Sequence, residues 1–228
     1  MGVSAKSRGS LVEPDENYPS PPYTILRLLE KLALPGGRWL EPCAGDGVFI
    51  ETVSSLRSDI RWTAGEIRPE TEAHLQELPY VERVVIQDYL TTTDEQLGVT
   101  PDNKFDVVLT NPPYSLAMPF IQRSLKISKY VVMLLRVGFL ASQERHAFMS
   151  TCPPDLYLLP NRPSFKTTTK VVTDPVTGKT KTRNTNSDSS EYSWFVWDTD
   201  NLEREHGTVQ VLNLTDKSER IVRKGKAK

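Results

Sequence analysis

The chain has 228 residues, is 38% hydrophobic and 25% charged, and carries a formal net charge of −1. Those values exclude a disordered chain and a whole-body attraction to nucleic acid, and no run nears the roughly 18 consecutive apolar residues of a membrane span. The two cysteines, Cys43 and Cys152, and the scattered histidines His74, His146 and His206 match neither a disulfide framework nor a metal site, so no metal is expected.

Taken in order, "MGVSAKSRGSLVEPDEN" (1–17) is polar, is expected to be flexible, and has no apolar leader core, which points to the cytoplasm. "YPSPPYTILRLLEKLAL" follows, with prolines at or before a first turn and Ile25, Leu28, Leu29 and Leu32 at helical spacing. "GGRWLEP" is a first strand and "CAGDGVFIETVSSL" a glycine turn into a helix. "RWTAGEI" is a second strand, "PETEAHLQEL" a helix and "ERVVIQ" a third strand. "KFDVVLT" is a fourth strand, "SLAMPFIQRSLKI" a helix, "KYVVMLLRV" a fifth strand, "SQERHAFMST" a helix and "DLYLLP" a sixth strand. A Thr-, Lys- and Asn-rich stretch, about 161–190, reads as a basic loop or exposed hairpin around "DPVTGK". "EYSWFVWDT" resumes as an aromatic strand, with Trp194, Phe195 and Trp197 as core, and "GTVQVLNL" is a candidate edge strand.

Apolar strands without strict alternation, separated by helices, predict an α/β fold: a mostly parallel, seven-stranded sheet with helices on both faces. The basic stretch is an insertion before the last sheet strand. Residues 18–212 form one domain, followed by a basic tail over 213–228.

In such sheets ligands lie beyond the carboxyl ends of the strands. There the sequence sets Glu41, Cys43, Ala44, Gly45, Asp46 and Gly47 after the first strand, Glu66 after the second, Asp88 and Tyr89 after the third, and Asn111, Pro112, Pro113 and Tyr114 after the fourth. Singly, each has an ordinary explanation: a surface carboxylate or a tight turn. Together they build a pocket. Gly45 and Gly47 allow close backbone approach. Glu66 can accept from ribose hydroxyls and Asp88 from an exocyclic amine. No Gly-Lys-Ser/Thr stands at these strand ends, and Asp46 would repel a pyrophosphate, so the acidic pocket favours a cationic cofactor.

"EPCAGDG", "GEI", "QDYL" and "NPPY", in this order and spacing, resemble the S-adenosylmethionine-dependent N6-adenine DNA methyltransferases. "YPSPPY" ahead of the glycine loop resembles the cofactor-contacting segment of the gamma arrangement, with Ser20-Pro21 where Thr-Pro is usual. "LLRVGFLASQER", "LPNRPSF" and "EYSWFVW" resemble later stretches of short phage and prophage members. The resemblance spans about 18–198. It implies a Rossmann-like class I methyltransferase fold, S-adenosyl-L-methionine as cofactor, and Tyr18, Ser20, Pro21, Ile67 and Asn111 as cofactor contacts beside those named above. It also implies catalysis by Asn111, Pro112, Pro113 and Tyr114. Asn111 and the Pro112 carbonyl would draw on the hydrogens of the target amine, the prolines would stiffen the turn, and Tyr114 would stack on a base extruded from the duplex. The Asn-Pro-Pro-Tyr element also occurs in protein-glutamine and some RNA methyltransferases, which remain alternatives, as does a silent binding protein.

From Arg162 to Arg183 six cations (Arg162, Lys166, Lys170, Lys179, Lys181, Arg183) stand against one anion, Asp174, and after Asp216 six stand against Glu219. These local excesses are expected to hold phosphates on an otherwise neutral body, with DNA the expected partner and RNA the alternative. No separate target-recognition domain is evident, so a short or relaxed target is expected.

Overall fold

A computed structural model of the chain describes residues 19–165, 169–173, 180–184, 190–201, 205–216 and 218–219. Tyr18, Lys166, Lys179, the N-terminal stretch and most of the basic tail lie outside the described residues, and Lys170, Lys181 and Arg183 are placed by backbone alone.

The expected strands form where the apolar runs are: β1 (Gly37–Glu41), β2 (Ile60–Glu66), β3 (Val81–Ile86), β4 (Phe105–Thr110), β5 (Ser128–Arg136) and β6 (Asp155–Leu158). Within the basic stretch β7 (Thr169–Thr173) and β8 (Thr180–Asn184) pair antiparallel as a separate two-stranded sheet, as the hairpin alternative of the sequence reading requires. β9 (Tyr192–Asp198) and β10 (Val209–Val211) complete the set. The main sheet runs β10-β6-β9-β5-β4-β1-β2-β3. All its neighbours are parallel except where β9 lies antiparallel between β5 and β6. The order reverses between β1 and β4, as in a doubly wound sheet, and the Rossmann-like expectation holds. Its strand count does not: the sheet has eight strands, not seven. Val209–Val211 satisfies the outer edge of β6 in parallel register, Val209 opposite Leu156, and the insertion therefore precedes the penultimate strand in sequence.

Helices α1 (Pro22–Leu29), α2 (Val48–Ser54), α3 (Glu72–Gln76), α4 (Asp94–Leu97), α5 (Ala117–Ile127) and α6 (His146–Thr151) surround the sheet. α6 is shorter than the expected helix, whose first residues, from Ser142, form turns instead. The missing polar alternation has a direct cause. Val107 and Leu109 of β4, Val132 and Leu134 of β5 and Trp194 and Val196 of β9 pack with α1, α2 and α3. The intervening Val108, Val131, Met133, Phe195 and Trp197 pack with α4 and α5 on the other face. Both faces are dry, and each large side chain so buried contributes about 1.5–3 kcal/mol.

Two local devices aim the chain at the carboxyl edge. Pro112 and Pro113 carry no N–H, so β4 stops after Thr110 pairs with Met133. Pro21 is the N-cap of α1 and Pro22 its first residue. The Thr24 hydroxyl and amide both donate to the Pro21 carbonyl, at 2.8 and 3.0 Å, and Trp194 Nε1 donates to the Thr24 carbonyl at 2.9 Å. The entry to α1 is thereby pinned to the sheet.

Candidate functional site

The β1–α2 turn is shaped by backbone requirements. Gly45 and Gly47 adopt φ of 58° and 77°, and a Cβ on Gly47 would come within 2.2 Å of Leu78 Cδ1. The turn is tied to the end of β2: Ala44 N donates to the Gly65 carbonyl at 2.8 Å and Gly45 N to Glu66 Oε2 at 2.7 Å. Glu66 Oε1 takes three more bonds, from Ile67 N (2.9 Å), Arg68 N (3.1 Å) and Arg68 Nε (3.2 Å). The carboxylate expected to meet a ribose is thus also the post on which the loop hangs. Oε2 carries one bond and a carboxylate oxygen can take two, so acceptor capacity remains for a hydroxyl. Arg68 also reaches exposed Asp46, at 3.5 Å, and Ile67 is largely exposed beside it.

Beneath the loop Glu41 is 3% exposed, and its Oε2 is without a hydrogen-bond partner among the described residues. Burial, and secondarily the neighbouring Glu66, hold its carboxyl well above the ordinary range, opposed only by a bond from the Ile50 backbone. Both effects favour the uncharged carboxyl of Glu41 over its ionised form. The half-buried Cys43 thiol is likewise pushed up by burial and then by Glu66 and Glu41, which disfavours its thiolate.

After β3, Asp88 Oδ1 accepts from Leu90 N at 2.9 Å, capping its own turn, and Oδ2 is not used in that bond. The Tyr89 side chain turns into the core, its ring against Phe120 and its hydroxyl 2.9 Å from Ser124 Oγ.

After β4, Asn111 Nδ2 donates to Ser20 Oγ at 3.0 Å, while Asn111 Oδ1 is buried without a partner among the described residues. Pro112 is buried and Pro113 half-buried. The Tyr114 ring lies 5.8 Å from Tyr192, which in turn stands edge-on to Phe165 at 5.0 Å. The Arg136 guanidinium sits 5.0 Å over the Tyr114 ring and donates from Nε to the Tyr192 hydroxyl at 3.3 Å. The structure thus brings Ser20, Pro21, the glycine turn, Glu66 and the Asn-Pro-Pro-Tyr turn to one edge. Of the expected phosphate-binding cations, Arg162 is exposed and paired with Glu191. Among the described residues no metal-ligand cluster occurs and no helix is long and apolar enough to cross a membrane.

No family model and no curated protein matches the chain. Solved structures of similar trace include a predicted O-methyltransferase from Agrobacterium tumefaciens (16% identity, 76% of each chain covered, TM-score 0.49). Another is the N-terminal domain of human METTL16 in complex with SAH (11% identity, 77% of this chain and 66% of that one, TM-score 0.46). A third is TrmN from Thermus thermophilus (18% identity, 78% of this chain, TM-score 0.42), of whose length the match spans 47%. Identities this low transfer no residue's role.

Three side chains at this edge are not among the sequence-derived candidates. Arg136 ends β5 as Glu66 ends β2, so carrying the strand-end inspection one strand further would have found it. Tyr192 lies opposite Arg136 in the register. It starts an antiparallel strand, so its beginning, not its end, faces the cleft, and an inspection of strand ends passes over it. Arg68 is visible only through its contact with Glu66.

Proposed function

We propose that this protein transfers a methyl group from S-adenosylmethionine to the N6 amine of adenine in DNA, acting on an extruded base and with short or relaxed sequence selectivity. The observation that carries the reading is the end of β4. At the point where strand order reverses, Asn111 Oδ1 is a buried acceptor without a partner among the described residues, beside a glycine turn and an aromatic ring. A buried acceptor of that kind costs free energy unless it is used. The use this chemistry supplies is an amine hydrogen.

The residues fit the cofactor. Glu66 retains acceptor capacity for ribose, Asp88 can accept from an adenine amine, Gly45 and Gly47 admit close approach, and the acidic surroundings suit a cation. When bound, S-adenosylmethionine supplies an electrophilic methyl group on a sulfonium. The chain's own part is positioning and electrostatics. The N6 lone pair of adenine is delocalised into its ring. Asn111 Oδ1 and the Pro112 carbonyl, accepting from the two N6 hydrogens, draw the nitrogen toward tetrahedral geometry and leave its lone pair available. Tyr114 offers a stacking face, a contact worth about 1–3 kcal/mol per base.

The resemblance of the motif order to DNA methyltransferases and the basic stretch over 161–190 support nucleic acid over a protein glutamine. The test is tritiated methyl transfer to DNA, RNA and protein followed by nucleoside analysis. N6-methyladenosine in RNA, methylglutamine, or no product would each replace the reading.

A further inference from the structure

The stretch over 161–190 is rich in cations, and the strand register decides which of them stand together. Residues two apart along a strand share a face, and residues directly opposite across an antiparallel pair share it too. β7 and β8 form a sheet of their own, with Lys170 opposite Arg183 and Val172 opposite Lys181. These four positions make one face of the ribbon. The other face holds Thr169 opposite Asn184, Val171 opposite Thr182 and Thr173 opposite Thr180. Every cation of the two strands therefore falls on one face, the other face is uncharged, and neither strand carries an acidic residue.

That arrangement is self-repelling. Like charges at directly opposed positions destabilise an antiparallel pair, and a two-stranded sheet is marginal by itself. A polyanion laid along the face removes the repulsion. The residue types select its kind. The face has three cations, one small apolar residue and no aromatic, whereas protein interfaces are enriched in aromatic residues and depleted of lysine. The phosphates of a nucleic-acid backbone match it.

The chain on either side of the ribbon is fastened beside Tyr114. Before it, Phe165 is buried and stands edge-on to Tyr192 at 5.0 Å. After it, Glu191 pairs with Arg162, and its carbonyl accepts from Val137 N at 2.9 Å. The Tyr192 ring lies 5.8 Å from Tyr114. Lys170 is five residues beyond Phe165, which keeps it within about 18 Å of that anchor.

We propose that β7–β8 is a one-faced phosphate clamp for duplex DNA. Lys170, Lys181 and Arg183 hold the sugar–phosphate backbone beside the candidate site, and the threonine-rich face takes no part. The ribbon supplies grip without reading sequence, because phosphate contacts carry no sequence information. The choice of DNA rests on the function proposed above. The separation of the two faces does not.

The experiment keeps the charge constant and moves it. In the full chain, Lys170→Thr, Lys181→Thr and Arg183→Thr together make a neutral ribbon. Adding Val171→Lys, Thr180→Lys and Thr182→Arg returns the same charge to the opposite face. Anisotropy titrations of several duplexes over a salt series read the outcome. The neutral variant is expected to flatten the salt slope by about 2.7, at about 0.9 for each of three phosphates, and equally for every sequence. The charge-moved variant is expected to behave as the neutral one does. An unchanged slope in the neutral variant, or a slope recovered by the charge-moved one, overturns the proposal. A second measurement needs no variant to fold: in the wild type, duplex DNA is expected to protect Lys170 and Lys181 severalfold from acetylation, read by mass spectrometry. Absence of protection, or protection by RNA alone, overturns the proposal. Protection by DNA in a wild type that methylates nothing overturns the methyltransferase reading and leaves the clamp standing.

Discussion

The Arg136 guanidinium covers the Tyr114 ring at 5.0 Å. A base that stacks on Tyr114 must share or replace that contact, which is worth about 0.5–1 kcal/mol at an exposed site. A guanidinium so displaced is expected to meet a phosphate. Arg136→Ala is expected to weaken duplex binding about three- to tenfold and to lower the salt slope by about one unit. Arg136→Lys is expected to keep the slope. Anisotropy titrations over a salt series measure both, and tighter binding by Arg136→Ala would identify the residue as an obstacle instead.

On the proposed function, removal of the Asn111 acceptor is expected to act on the transition state rather than on the cofactor. Asn111→Ala is expected to lower kcat by about 10²–10³-fold with S-adenosylhomocysteine affinity within about threefold. Single-turnover transfer and calorimetry separate the two quantities.

Glu66 holds the Gly45 turn and is proposed to hold the ribose, so its removal is expected to have two consequences. Glu66→Ala leaves Gly45 N, Ile67 N and Arg68 N without their acceptor. It is expected to lower the melting temperature and to weaken S-adenosylhomocysteine binding by about 10- to 100-fold, the worth of a charged hydrogen bond. A variant that melts lower and binds equally well would reduce Glu66 to a loop post.

Glu41 makes a prediction about pH. Its folded pKa is raised by burial and by Glu66, whereas in the unfolded chain it titrates as an ordinary glutamate. Between those two values the native state holds a proton that the unfolded state has released. The Glu41 contribution to stability therefore falls as pH rises through that window and is constant below and above it. Glu41→Gln has no such proton. Its melting temperature is expected to exceed the wild type's at pH 8 and to converge with it toward pH 4, as read by thermal denaturation in a pH series.

Replacing Lys166, Lys170, Lys179, Lys181 and Arg183 together with Ala is expected to reduce DNA affinity across sequences. The salt slope should flatten by about 0.9 for each phosphate that is no longer neutralised, with cofactor affinity unchanged. An unchanged slope moves the grip to the basic tail.

The sequence by itself determined the order of strands and helices, since apolar runs broken by Gly and Pro are local signals. It also determined which residues stand at strand ends: Asn111 follows β4 because Pro112 and Pro113 cannot continue a ladder. Even the two-sided burial was legible, from strands without polar alternation. Only the tertiary structure decided what those strand-end groups touch. Glu66 holds up the Gly45 turn across 21 positions, Asn111 is held by Ser20 across 91, and Tyr192 of an antiparallel strand meets Tyr114. "GTVQVLNL" was legible as a candidate edge strand, and the sheet order decided that Val209–Val211 pairs with the outer edge of β6 as an eighth strand. Local sequence dictates where backbone hydrogen bonding starts and stops. Side-chain partners, such as Ser20 for the Asn111 carboxamide, depend on which distant segments the sheet order brings together.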